Sequence, residues 1–296
     1  MNIKKWLEKN TKDLNGKVIA ITGSTGGLGK ELCFHLASLG ASLILMNRNQ
    51  DKTNNQINSL IVKFPNIKVD FIQVDMQDFE SVKNATEKLK TKNVDILLLN
   101  AGAYKIPRVK TELGYDNIFT INFILPYYMV KELLPSLRNK EDSKVVVVGS
   151  IAHNYSKINE QEIDFSQNKK CSRVYGNAKR FLMFSLYELF RNENNVKLSI
   201  CHPGITYTNI TSHYPKLINK IIKYPMKVIF MNPRKASLSI IKGVFDETSY
   251  HTWIGPKIFN IWGYPKKKTL KTAKKQESEK IFQLAESINK NLNNKK

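Results

Sequence analysis

The sequence predicts an α/β protein on a doubly wound parallel sheet, and three observations predict it. Short apolar runs rich in β-branched residues alternate with stretches of helical periodicity, joined by links of a few residues. The first run, Lys17–Thr22, enters a helix through a turn with four glycines in the seven residues Gly23–Gly29. The runs end in polar or glycine-bearing residues: Gly23–Gly29, Asn47-Arg48, Asp75-Met76 and Asn100-Ala101-Gly102. Right-handed crossovers place every parallel strand end along one edge, where ligands bind, so these exits converge.

Each element follows from its own pattern. Residues 1–16 read as a polar lead-in with one helical turn around Trp6 and Leu7. After the first strand, Leu28, Leu32, Cys33 and Leu36 form one stripe of an amphipathic helix. Ser42–Met46 is a second strand, and Asp51–Phe64 a helix stopped by Pro65. Strand Val69–Val74, helix Phe79–Leu89 and strand Val94–Leu99 continue the alternation. Gly114–Leu134 reads as one long helix holding Asn122, with a kink at Pro126.

Lys144–Val148 is a fifth strand running into Gly149-Ser150. A polar connection, Ile151–Arg173, leads to helix Val174–Phe190, which carries Tyr175 and Lys179. Val196–Cys201 is a sixth strand, ending at His202-Pro203-Gly204. Pro233–Asp246 returns to helix and Thr252–Gly255 is a last short strand. From Pro265 to Lys296 there are ten lysines and three glutamates, yet Ile281, Leu284, Ile288 and Leu292 predict a docked helix. With no repeat and no linker, one domain is expected over residues 1–296. Its core spans 15–262, with a substrate cap at 205–231 and a basic extension at 264–296.

Composition narrows the class. An apolar share of 42% suits a globular core. Three cysteines lie far apart without zinc or disulfide spacing, which predicts a reducing compartment and no metal. No stretch reads as a signal peptide or a membrane span, so a cytoplasmic protein is expected. The net charge of +22 invites nucleic acid or an anionic membrane as partner. Only seven of its 47 basic residues are arginine and no nucleic-acid motif appears, so nucleic acid is not expected. Weak peripheral contact with an anionic membrane stays as the alternative.

The glycine turn aims backbone N–H groups and a helix N-terminus at one point, which suits a phosphate. It is no P-loop, because Glu31 rather than Ser or Thr follows Lys30 and Ser24 stands where the motif needs glycine. Tyr175 and Lys179 sit four apart on one helix face, where an ammonium beside a phenol favours the phenolate. That pairing makes a usable acid/base. Ser150 leaves its strand on the ligand edge.

Together these residues resemble the short-chain dehydrogenase/reductase family over roughly residues 15–210. Thr22, Gly23, Ser24, Thr25, Gly27, Leu28 and Gly29 match its TGxxxGxG turn, and Asn100-Ala101-Gly102 most of its NNAG element. Asp75, Asn122, Ser150, Tyr175, Lys179, Pro203-Gly204 and Thr208 fall in its order. Ser150–His153 and the extended C-terminus look like its retinol-dehydrogenase-like group. Leu99, Gly149 and Ala178 depart from common family residues without removing a catalytic side chain.

The resemblance implies a Rossmann fold and hydride transfer between a nicotinamide and an alcohol or carbonyl carbon. It implies a catalytic set of Asn122, Ser150, Tyr175 and Lys179. The glycines would meet pyrophosphate, Asp75-Met76 flank adenine, Asn100–Gly102 line the cofactor channel and Thr208 contact the carboxamide. It also implies a homodimer through the long helices carrying Asn122 and Tyr175.

Cofactor choice follows from charge. An acid after the second strand would hold a ribose 2′-OH; here stand Asn47-Arg48, and Arg48 pairs with a 2′-phosphate instead. NADP(H) is therefore favoured over NAD(H). The apolar residues of 205–231 point to an apolar, lipid-like alcohol or carbonyl substrate. Two other classes stay open: an idle dinucleotide-binding scaffold or sensor, and a basic membrane-surface or nucleic-acid-binding protein.

Overall fold

The computed structural model describes residues 2–168, 170–206 and 230–294. Among these, eight strands form one sheet in the order β3-β2-β1-β4-β5-β6-β7-β8. They are β1 (Val18–Thr22), β2 (Ser42–Asn47), β3 (Val69–Gln73), β4 (Ile96–Leu99), β5 (Lys144–Val148), β6 (Lys197–Cys201), β7 (Thr252–Ile258) and β8 (Trp262–Thr269). Strands β1 to β7 are parallel, and β8 returns antiparallel to β7.

The inner strands are buried on both faces, as parallel strands between helical layers must be. Side chains alternate between two apolar layers: Ala20, Val145 and Val147 join one, and Ile19, Ile21, Val146 and Val148 the other. The first layer is roofed by α4 (Phe79–Lys90), α6 (Leu125–Arg138), α7 (Cys171–Leu189) and α10 (Lys275–Asn293). The second is roofed by α1 (Ile3–Asn10), α2 (Gly27–Ser38), α3 (Gln50–Lys63) and α9 (Leu238–Phe245). Short helices α5 (Asn117–Phe119) and α8 (Pro233–Ala236) precede α6 and α9. No helix among the described residues is long and apolar enough to cross a membrane.

Four expectations need correction. The lead-in is a full helix, α1, capped by Asn2 accepting from Lys5 N–H at 2.9 Å. It is anchored by buried Trp6, whose ring stacks on Tyr264 with centroids 6.3 Å apart. The stretch around Asn122 is not one regular helix from Gly114: it starts at Asn117 and widens just before Pro126, in a π turn spanning Thr120–Ile124. Leu125 N–H reaches back to the Thr120 carbonyl, and Pro126, with no N–H, donates nothing to the preceding turn. Third, β7 runs to Ile258 rather than Gly255.

Fourth, the lysine-rich start of the basic extension is the edge strand β8. Lys266, Lys267 and Lys268 read as tail because their charge hides the strand. On a sheet edge, lysines are what deters pairing with another chain. The docked C-terminal helix is present as α10, burying Ile281, Ala285, Ile288 and Leu292.

Candidate active site

The sheet order reverses between β1 and β4, so their exits flank a crevice. Four hydrogen bonds lock the two exits together. Thr22 Oγ1 accepts from Asn100 N–H at 3.1 Å and from Ala101 N–H at 3.0 Å. Asn100 Nδ2 donates to the Thr22 carbonyl at 3.1 Å and the Gly23 carbonyl at 2.9 Å.

Two glycines are required by space. Gly23 has φ +67°, and a Cβ there would lie 2.8 Å from Ala101 Cα. A Cβ on Gly29 would lie 2.3 Å from the Gly23 carbonyl oxygen. Ser24 is buried and accepts from Asn47 Nδ2 at 2.7 Å, while Thr25 N–H donates to Asn47 Oδ1 at 3.3 Å. Asn47 therefore shapes the turn, a role that one-dimensional reading gave only to the strand exit. Helix α2 starts after Gly26 with no side-chain cap and no acid in its first turn, so its N–H groups stay open to an anion. Gly27 and Leu28 form that first turn.

At the next exits, Arg48 Nη1 lies 3.5 Å from Asp75 Oδ2, with 67% of the arginine side chain in solvent. Both line an open cleft of about 270 Å³ with Gln73, Ser81, Asn84 and Lys88. The Met76 side chain turns from that cleft into the apolar layer, leaving its backbone beside Asp75.

The expected catalytic side chains gather at the exits of β4 and β5. Asn122, placed by the π turn, donates from Nδ2 to the Ala103 carbonyl at 2.7 Å and the Ile118 carbonyl at 2.8 Å. Its buried Oδ1 has no partner among the described residues. A Cβ on Gly102 would fall 2.8 Å from that Oδ1 and 3.6 Å from Lys179 Nζ, so these three groups meet at one point. Lys179 is buried, and Nζ donates to the Val148 carbonyl at 2.9 Å. Burial pulls its ammonium down to about 8.

Tyr175 lies one helical turn before Lys179, with the ammonium 5.9 Å from its ring centroid. Burial pushes the phenol up to about 12, and a hydrogen bond with the Ser150 side chain acts the other way. The expected lowering of the phenol by Lys179 is thus corrected: the ammonium faces the Val148 carbonyl, and desolvation dominates. Ser150 Oγ also accepts from Ala152 N–H at 3.1 Å.

Three participants escaped sequence reading. Tyr104, two residues after Gly102, packs edge-on against Tyr175 with centroids 5.2 Å apart. His153 and His202 are both buried against one ring, Trp253, the first perpendicular to it and the second stacked on it. His202 leads into Pro203 and Gly204, whose φ of +84° turns the chain away from β6. Thr208 lies outside the described residues.

These features fit a dinucleotide: glycines that leave room at the turn, an uncapped helix start, an unpartnered buried amide oxygen and a convergent ammonium. The comparisons agree. The short chain dehydrogenase family model matches residues 17–217. The chain is 29% identical over 264 residues to an uncharacterised oxidoreductase of Schizosaccharomyces pombe, covering 81% of this chain and 75% of that one. It is 27% identical over 256 residues to retinol dehydrogenase 14 of Mus musculus, covering 77% and 73%. It spans about half the length of the WW domain-containing oxidoreductase of Gallus gallus, which is 32% identical over 212 residues, 67% of this chain and 51% of that one.

Among solved structures, an uncharacterised protein of Mycobacterium paratuberculosis aligns over 95% of this chain and 96% of its own at TM-score 0.73 and 21% identity. L-sorbose reductase of Gluconobacter frateurii, complexed with NADPH and L-sorbose, aligns over 88% and 98% at TM-score 0.61 and 20% identity. With its glycine turn, parallel sheet and the match over two thirds of its length, the chain belongs to the short chain dehydrogenase family and is an NAD(P)-dependent oxidoreductase.

Proposed function

We propose that the protein interconverts an alcohol and a carbonyl group on an apolar, lipid-like substrate, with NADP(H) as its dinucleotide. The observation that carries this is the meeting of Ser150 and Tyr175 beside the Asn122–Gly102–Lys179 convergence at the sheet's ligand edge. Bound there, the dinucleotide supplies or accepts the hydride. Tyr175, whose phenol is protonated at neutral pH and kept so by burial, gives its proton to the carbonyl oxygen in reduction. Ser150 holds that oxygen by a hydrogen bond.

In oxidation the phenol must take the alcohol proton, so a phenolate has to be stabilised. Lys179 is the nearby cation, and its remaining N–H donors are available to a ribose hydroxyl. Asn122 Oδ1 offers an acceptor for a water in a proton path. Thr22, Gly23, Ser24, Thr25, Gly27, Leu28 and Gly29 would carry the pyrophosphate. Asp75 and Met76 would border the adenine, and Asn100, Ala101, Gly102, Pro203, Gly204 and Thr208 the nicotinamide half. Arg48 would take the 2′-phosphate, breaking its contact with Asp75.

An apolar substrate is supported by the similarity to a retinol dehydrogenase. The homodimer is less well supported. Helix α10 covers α7 and α6 through Arg180–Glu277 and Lys131–Glu286 pairs, and so occupies much of the face the dimer would use.

The test is a screen of long-chain and isoprenoid alcohols and aldehydes for NADP(H) absorbance change. Tyr175→Phe should lower turnover by about 10²–10⁴ while NADPH still binds by fluorescence titration. Turnover that survives in Tyr175→Phe removes the acid/base assignment. Dinucleotide binding without turnover by the wild type would favour the scaffold.

A further inference from the structure

The β7–β8 hairpin carries an apolar tip on a cationic stem. Its turn, Ile258–Ile261, is closed by Ile261 N–H donating to the Ile258 carbonyl at 2.9 Å. The two central residues, Phe259 and Asn260, have φ of +48° and +59°, the left-handed pair of a type I′ turn. Asparagine accepts that region, but a bulky phenylalanine does so only with strain. Phe259 nevertheless stands there with 82% of its surface in water, flanked by Ile258 at 49% and Trp262 at 38%. Neither turn geometry nor core packing explains an exposed aromatic at that position.

The charge around it has one sign. From Ser249 to Gln276 there is no Asp or Glu, and there are seven lysines. Lys268 braces the turn, donating to the Pro256 and Lys257 carbonyls and to Asn260 Oδ1 at 2.7, 3.0 and 2.9 Å. Lys257, Lys266 and Lys267 are exposed beside it.

The hairpin also has a definite place. Ile254 pairs with Cys201 at the end of β6, and β7 continues four residues further, to Ile258. That is roughly 13 Å of additional strand at the usual rise, so the tip projects beyond the ligand edge. It is tied to that edge, since His202 Nε2 donates to the Asn260 carbonyl at 2.7 Å.

We propose that this hairpin docks on an anionic lipid bilayer. Phe259, Ile258 and Trp262 enter the headgroup–acyl boundary, and Lys257, Lys266 and Lys267 pair with acidic headgroups. The docking stands on the hairpin alone. Its use, presenting the Ser150–Tyr175 edge to a substrate dissolved in the bilayer, rests on the function proposed above.

Intrinsic fluorescence tests it cleanly. Of the three tryptophans, Trp6 and Trp253 are each 2% exposed, so an environmental shift reports Trp262. Vesicles of phosphatidylcholine with phosphatidylserine should shift emission to the blue and sediment the wild type, and vesicles of phosphatidylcholine alone should do neither. Phe259→Gly should lower partitioning roughly ten-fold or more by removing a buried ring. The same change should raise the melting temperature by a few degrees, roughly, because glycine accepts the left-handed turn. Lys266→Glu with Lys267→Glu should lower partitioning by about 25-fold or more at low salt.

Binding without anionic-lipid dependence, or Phe259→Gly partitioning like the wild type, overturns the proposal. So does a Trp262 shift that grows with protein concentration in lipid-free buffer and vanishes in Phe259→Gly, which would assign the tip to a second copy. Turnover in solution without vesicle binding removes the docking and leaves the proposed function. Vesicle binding without turnover on any alcohol does the reverse.

Discussion

The imidazole of His153 donates from Nδ1 to the backbone carbonyl of Ser150 at 2.6 Å. A carbonyl can only accept, so Nδ1 carries the proton and Nε2 accepts from Thr272 Oγ1 at 2.7 Å. The residue that would polarise the substrate oxygen is thereby held through its own backbone from the loop before α10. Trp253 meets His153 edge-on, with centroids 5.6 Å apart, and stacks on His202 at 5.0 Å.

Acid sensitivity follows. Burial holds both histidines at about 4, below their ordinary 6.5. Unfolded chains take up these protons first, so stability is full above pH 6.5 and falls as pH drops toward 4. The loss is about 3 kcal/mol per histidine. Urea midpoints across that range should show the fall, and His202→Phe, which keeps the stack, should remove about half of the histidine slope.

The alkaline side has the opposite character. Lys179 and Lys144 are both drawn down to about 8 by burial, from 10.5. Between those values the unfolded chain holds protons that the folded one has lost, so stability rises with pH. Oxidation should meanwhile lose kcat/KM as Lys179 discharges above about pH 8. Lys179→Met should remove about half of the stability slope and most of the activity, whereas Lys144→Met should leave the pH–activity profile in place.

Cofactor choice should turn on Arg48 and Asp75, 3.5 Å apart. Arg48→Ala is expected to lower the NADPH-to-NADH ratio of kcat/KM about ten-fold or more, the worth of one charge-assisted contact. Asp75→Ala should raise it by freeing the guanidinium. Initial rates with both cofactors decide this, and an unchanged ratio in Arg48→Ala would remove the NADP preference.

Two glycines of one turn should differ sharply. Gly29→Ala drives a methyl to 2.3 Å from the Gly23 carbonyl and should cost about 1–3 kcal/mol along with dinucleotide affinity. Gly26→Ala, whose methyl finds nothing nearer than 3.6 Å, should cost less than about 1 kcal/mol. Thermal melts and NADPH titrations of the two variants compare them directly.

The succession of strands β1 to β6 along the chain and the glycine turn are legible because each rests on local pattern: β-branched runs, helical stripes, glycine where a Cβ would clash. Strand β8 is not, because Lys266–Lys268 carry the charge of a tail and only the neighbour β7 makes them a strand. The roles of Tyr104, His153 and Asn47 are not legible in the sequence because they exist across the fold and not along the chain. The i, i+4 spacing of Tyr175 and Lys179 gave a shared helix face but not the direction of the ammonium, which the Val148 carbonyl decides.

The packing of α10 on α7 also orders events during synthesis. Arg180, next to Lys179, is held by Glu277 through Nε at 2.7 Å and Nη2 at 2.5 Å. Tyr127 on α6 reaches Glu286 at 2.5 Å. Glu277 is made 97 residues after Arg180 and Glu286 159 residues after Tyr127, at about 5–20 residues per second. The nascent chain therefore carries the glycine turn and the Tyr175 helix for several seconds before that helix gains its outer support, and dinucleotide-binding competence should precede catalytic competence in translation.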